Sequence, residues 1–219
     1  MVTNRTIDKV MSTLRQESAT WNAPVVTQMA TLSRDPYQVL IACLLSLRTK
    51  DETTGPAARR LFALADTPQK MLTLTKAQIE KAIYPVGFYK TKSQTVLDIS
   101  QELVDHYGGR VPDEIDELLT FKGVGRKTAN LVVTLGYQKP GICVDTHVHR
   151  ITNRWGYVET ENPEETEMAL RDKLPGKYWI EINDLLVAMG QTICHPTSPK
   201  CSLCPIEKYC DKIEVIRSR

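Results

Sequence analysis

Leu118-Leu119-Thr120-Phe121-Lys122-Gly123-Val124-Gly125-Arg126-Lys127-Thr128-Ala129-Asn130-Leu131-Val132-Val133 is an apolar run, a basic glycine turn and a second apolar run. It predicts the end of one short helix, a tight turn and the start of another helix. Two glycines separated by one valine let the backbone fold back with its amides converging at the bend. The helix that begins near Arg126 adds the positive end of its dipole. Such a turn binds a phosphate through the main chain alone, with Lys122 and Arg126 as flanking charges. Gly-x-Gly by itself favours an ordinary inter-helix turn; the leucine pair before it and the basic residues on both sides favour the phosphate.

Lys127 falls in the first helical turn, where its charge opposes the dipole. The dipole and the adjacent Arg126 would lower its amine pKa, as a Schiff-base nucleophile requires. Local sequence alone favours a solvated lysine or a second phosphate contact. Downstream comes Cys143-Val144-Asp145-Thr146-His147-Val148-His149-Arg150. Locally, Asp145 reads as a helix N-cap. His147 and His149 lie two apart, on different helix faces, a poor arrangement for chelating a metal. They read as contact or core histidines.

Outward from this stretch the punctuation is helical. Asp35-Pro36, Thr67-Pro68, Val111-Pro112-Asp113 and Asn162-Pro163-Glu164-Glu165 look like helix starts, with a capping residue before or beside a proline. Val96, Ile99, Leu103 and Tyr107 recur at helical spacing before Gly108-Gly109. About ten helices and no clear strand are expected. A composition shift near Pro140-Gly141 suggests a domain boundary. Hydrophobic residues make up 42% of the 219 and aromatics only 6%, so the core is aliphatic, which suits an all-α chain. The net charge of +2 neither demands nor excludes nucleic acid, because steering depends on a local patch. No apolar stretch is long enough to span a membrane, and the N-terminus lacks the apolar block of a signal peptide. A soluble, cytoplasmic protein without membrane association is expected, nucleoid-associated in a prokaryote.

In that compartment the six cysteines are not a disulfide set. Cys43 and Cys143 stand alone in apolar runs and read as buried small hydrophobes. Cys194, Cys201, Cys204 and Cys210 form a compact array, and Pro196, Pro199 and Pro205 keep that segment out of a helix. Four thiolates at these spacings suit either one zinc ion or a [4Fe–4S] cluster. No cofactor fingerprint for substrate redox chemistry is visible, so a structural metal is favoured.

Together, Gly123-Val-Gly-Arg-Lys-Thr-Ala-Asn130, Val144-Asp-Thr-His147 and the cysteine array resemble the endonuclease III family of DNA glycosylases, within the helix-hairpin-helix superfamily. The resemblance covers nearly the whole chain, in order and in register. It implies an all-α, two-domain helix-hairpin-helix fold that binds damaged double-stranded DNA as a monomer at the cleft between the domains. A six-helix domain would span 29–139, and 1–28 plus 140–219 would form a second domain carrying a [4Fe–4S] cluster on Cys194, Cys201, Cys204 and Cys210. Lys127 takes the position of the family's catalytic lysine and Asp145 that of its catalytic aspartate, overriding the local readings of both. The implied activity is that of a bifunctional glycosylase and abasic-site (AP) lyase acting on oxidised pyrimidines. Arg48, Asp51, Phe88, Lys92, Lys122, Gly123, Val124, Gly125, Arg126 and His147 are the implied DNA contacts.

Three departures bear on specificity. Arg48 stands where the family commonly has a glutamine that fills the hole left by a flipped base. Phe88, at a wedge position that is often aliphatic, reads equally well as a core residue. Lys122 replaces the usual proline before the hairpin. Adenine and mismatch thymine glycosylases of the superfamily generally lack a lysine at position 127. Adenine glycosylases also use a glutamate in the helix that here reads Leu40-Ile41-Ala42-Cys43-Leu44-Leu45, where no acid appears. A non-catalytic DNA-binding or iron–sulfur sensor protein would need neither Lys127 nor Asp145.

Overall fold

The structure, a computed structural model, describes residues 1–21 and 24–219. Among these it has twelve α-helices and no strand. They are α1 (Ile7–Ser18), α2 (Val25–Ser33), α3 (Pro36–Ser46), α4 (Asp51–Leu64), α5 (Pro68–Met71) and α6 (Lys76–Ile83). After them come α7 (Tyr89–Tyr107), α8 (Ile115–Leu118), α9 (Arg126–Leu131), α10 (Thr146–Arg154), α11 (Pro163–Lys173) and α12 (Ile182–Thr192). The chain divides into two compact units, Val25–Lys139 and Met1–Pro24 with Pro140–Arg219. No helix among the described residues is long and apolar enough to cross a membrane.

The unit of Val25–Lys139 is built around α3. Its residues Val39 through Leu45 are all buried, because α2, α4, α7 and α9 pack on it from several sides. A helix that is apolar all round can only be a core helix. Its start is fixed by the Asp35 carboxylate, which accepts hydrogen bonds from the amides of Tyr37 (2.9 Å) and Gln38 (3.1 Å), with Pro36 at the first helical position. Thr67 caps α5 through the Lys70 amide, and Thr75 makes a reciprocal capping box with Gln78 on α6. Gly108 ends α7 as expected.

One expected helix start fails. Val111-Pro112-Asp113 stays irregular and α8 begins only at Ile115. Instead of capping a helix, the Asp113 carboxylate pairs with Lys139 at 2.7 Å, and the Val111 carbonyl accepts the Tyr137 hydroxyl. Tertiary partners outcompete the local signal.

The second unit encloses an aliphatic core of Ile7, Val10, Met11 and Leu14 from α1, joined by Val148, Ile151, Trp155, Ile182, Leu186 and Met189. A two-pronged contact of Arg15 with Glu181 (3.1 and 2.6 Å) fastens α1 beside the start of α12. Asn162 caps α11 by accepting the Glu165 amide, as its Asn-Pro-Glu-Glu sequence predicts.

Candidate nucleic-acid interface and active site

In the hairpin, α8 stops at Leu118 and the chain turns through residues 119–125 into α9. Gly123 takes φ +88°, a conformation costly for any residue with a Cβ. Val124 is buried between the two exposed glycines and pins the turn to the core, and the Val124 amide closes on the Phe121 carbonyl at 3.0 Å. That amide is therefore spent inside the turn, and the converging set expected from sequence has one member fewer. A Cβ built on Gly125 would meet nothing within 4 Å, so the outer side of the turn is open. Lys122 is exposed beside it and Arg126 half-buried.

Lys127 is exposed on the first turn of α9, which packs on α3. Its charge reaches the Cys43 thiol on α3 and favours the thiolate there, but burial dominates and pushes that thiol up to about 12. Cys43 is thus an inert core residue. Beyond α9 the helix widens into a π-turn at Val132–Gly136.

The same unit presents a second loop pair. α3 ends at Ser46 with Leu47 as its C-cap, and Arg48 follows with φ +52°. Phe88, the residue before α7, has φ +57° and is 62% exposed. The Arg48 guanidinium lies over the Phe88 ring, 5.9 Å from its centroid. Exposure on this scale rules out the core reading of Phe88. Lys92 corrects another expectation. It is only 8% exposed, and its ammonium donates to the carbonyls of Leu45 (2.8 Å) and Leu47 (2.6 Å) and to the Thr49 hydroxyl (3.2 Å). Its donors serve the protein, so direct phosphate contact is not its role. Burial also draws its pKa down to about 8. Asp51 opens α4 and accepts the Val25 amide at 3.2 Å, which makes its role here one of joining chain segments.

In the other unit, Asp145 is 9% exposed and caps α10. One carboxylate oxygen, Oδ1, accepts both the His147 amide (2.8 Å) and the Val148 amide (2.9 Å). The approach to this cap is held by Asn183 of α12, whose side chain donates to the Cys143 carbonyl at 3.2 Å. His147 Nδ1 accepts from Arg150 at 3.1 Å, whereas His149 Nδ1 pairs with Thr166 at 2.7 Å. The two rings serve different neighbours, as their spacing implies.

Cys194, Cys201, Cys204 and Cys210 all line one cavity, walled by Trp155, Met189 and Ile193. Burial pushes the Cys204 thiol to about 12, and the nearby sulfurs of Cys194, Cys210 and Cys201 push the same way. Burial raises the Cys210 thiol as well, so a cation in the cavity would favour the thiolates of Cys204 and Cys210 that burial disfavours. As placed, no three His, Cys, Asp or Glu side chains among the described residues converge closely enough to hold a single ion.

The model of the HhH-GPD superfamily of base excision DNA repair proteins matches residues 41–176. Endonuclease III of Thermotoga maritima is 46% identical over 177 residues, covering 81% of this chain and 83% of that protein. This chain belongs to the endonuclease III family. Two solved structures, a non-covalent endonuclease III–DNA complex and a trapped endonuclease III–DNA covalent intermediate, superpose with a TM-score of 0.83 at 30% identity, covering 97% of each chain. The chain spans about half the length of the plant relatives it matches. It is therefore an enzyme of base excision DNA repair with the helix-hairpin-helix glycosylase fold.

Sequence reasoning missed two residues of this family member's site region. Thr49 joins the two loops: its hydroxyl accepts from the Gly87 amide (3.1 Å) and from Lys92, and donates to the Leu47 carbonyl (3.3 Å). The usable signal was the glycine beside it in space, since a lone glycine often marks close backbone approach. Arg154 donates to the His195 carbonyl (2.7 Å), the Pro196 carbonyl and the Cys194 sulfur (3.4 Å), so it pins the first turn of the cysteine loop. It lies 40 residues from that loop and carries no local signal.

Proposed function

We propose that this enzyme is a bifunctional DNA glycosylase and AP lyase that removes oxidised or ring-saturated pyrimidines, such as thymine glycol, from double-stranded DNA. The observation that carries the lyase half is the exposed Lys127 amine on the first turn of α9, directly after the hairpin turn. The hairpin's open face and the Lys122 and Arg126 charges would hold the backbone phosphates. The damaged nucleotide leaves the stack, and Arg48 with Phe88 takes its place.

In this reading the neutral Lys127 amine forms a bond to C1′ of the deoxyribose. The N-glycosidic bond breaks, and the base departs with the bonding pair and takes up a proton. Asp145 supplies the carboxylate that stabilises the cationic sugar and relays protons. The sugar ring opens to a Schiff base between Lys127 Nζ and C1′. That iminium acidifies C2′; loss of a C2′ proton then expels the 3′ phosphate and cuts the strand. Hydrolysis of the imine returns free Lys127.

The four cysteines fit a [4Fe–4S] cluster in donor chemistry. All four line one cavity, so a single centre could bind them together. When bound it would supply structural cross-linking of the 194–210 loop. Incubation with a duplex holding one thymine glycol tests the function. Free base plus a strand cut 3′ to the site is expected; release of base with an intact strand would reduce the enzyme to a monofunctional glycosylase.

A further inference from the structure

We infer that Lys92 is a positioning residue that holds Arg48 and Phe88 ready for the opposite strand without touching DNA. The inference rests on the reading of those two residues as the groups that enter the duplex. Both hold left-handed backbone, Arg48 at φ +52° and Phe88 at φ +57°, although neither is glycine. Such a conformation is strained for a residue with a Cβ and persists only where its surroundings over-determine it. What over-determines them is one knot between two loops.

At its centre is the Lys92 ammonium, set against the carbonyl end of α3. Helix ends leave carbonyls unsatisfied and carry negative partial charge, and Lys92 answers both by donating to Leu45 and Leu47. Its third donor goes to Thr49, and the same hydroxyl accepts the Gly87 amide from the other loop. A Cβ on Gly87 would sit 2.9 Å from the Arg48 carbonyl, so only glycine allows the two backbones this close. The loop after α3 and the turn before α7 thus move as one, with Arg48 already stacked over Phe88. A wedge assembled before encounter loses less conformational entropy on binding, and it reads the orphaned base from one fixed geometry.

The test measures affinity for duplexes carrying a tetrahydrofuran abasic analogue opposite each of the four bases, so no chemical step is involved. Arg48→Ala comes first; if it leaves the spread of affinities across the four bases unchanged, the underlying reading of Arg48 fails. If Arg48→Ala collapses the spread, Lys92→Met and Thr49→Val are each expected to shrink it by on the order of threefold or more. Affinity for undamaged duplex, set by phosphate contacts, should hold within about twofold. Lys92→Arg, which still donates to carbonyls, is expected to restore most of the spread. A full spread in folded Lys92→Met would overturn the proposal. Should that variant fail to fold, a full spread in Thr49→Val overturns it instead.

Discussion

The guanidinium of Arg48 stands 5.9 Å from the ring centroid of Phe88, and both residues hold the left-handed backbone that favours glycine. Two side chains from loops about 40 positions apart in sequence meet at the surface, each on a strained main chain. Strain kept at an exposed pair is hard to account for by stability, since neither side chain fills the core. It is understandable where the pair must project into a partner.

Arg48→Gly separates these two demands. Removing the Cβ relieves the strain at φ +52° and is expected to raise stability by about 0.5–1 kcal/mol. It also removes the group proposed to answer the orphaned base. Chemical denaturation should show the gain, while binding to abasic duplexes loses its dependence on the opposite base. A destabilised variant would show that the local backbone is not strained.

The buried ammonium of Lys92 gives a pH signature. Its pKa falls to about 8 in the folded protein from an ordinary 10.5, through burial. Between those values the unfolded chain binds more protons than the folded one, so this group makes stability rise with pH. Below about pH 8 it is charged in both states and its cost is constant. Denaturation of the native protein and of Lys92→Met should therefore be compared from pH 7 to 11. The native curve should rise relative to the variant across pH 8–10.5, by on the order of 1–2 kcal/mol. Parallel curves would contradict the assigned burial.

Asp145 has two tasks that one pair of substitutions divides. Asparagine caps helices about as well as aspartate, so Asp145→Asn should keep its stability within about 0.5 kcal/mol. Asp145→Ala should lose about 1–2 kcal/mol with the cap. Both should release the damaged base at least on the order of a hundredfold more slowly in single turnovers, if the carboxylate stabilises the sugar cation. Normal turnover by Asp145→Asn would leave the residue a cap only.

Much of this was legible from residue types. Proline after a capping side chain marks the starts of α3, α5 and α11, because those hydrogen bonds are made within three residues. The hairpin was legible for the same reason: Gly123, Val124 and Gly125 decide the turn locally. The false start at Val111-Pro112-Asp113 failed because Lys139 and Tyr137, distant in sequence, claim its polar groups. That Lys92 spends its donors inside the protein is not legible, because nothing near it in sequence shows that α3 ends against its amine. Whether Phe88 is wedge or core is not legible in the sequence, since exposure is a property of the folded loop pair.

The cysteine cavity makes a separate prediction. The native protein should contain about four irons per chain and absorb visible light, as a [4Fe–4S] centre does. Cys204→Ser should lose iron and lower the melting temperature, since the 194–210 loop is then held without a cross-link. Elemental analysis that finds one zinc per chain would replace the cluster with a different metal.

Reduction with borohydride during turnover tests the central claim most directly. A Schiff base between Lys127 and C1′ would be reduced to a stable amine, joining enzyme to DNA. A covalent adduct is expected with both damaged and abasic duplexes, mapped by mass spectrometry to Lys127 and absent in Lys127→Ala. A native enzyme that releases the base and yields no adduct, or an adduct that persists undiminished in Lys127→Ala, would contradict it.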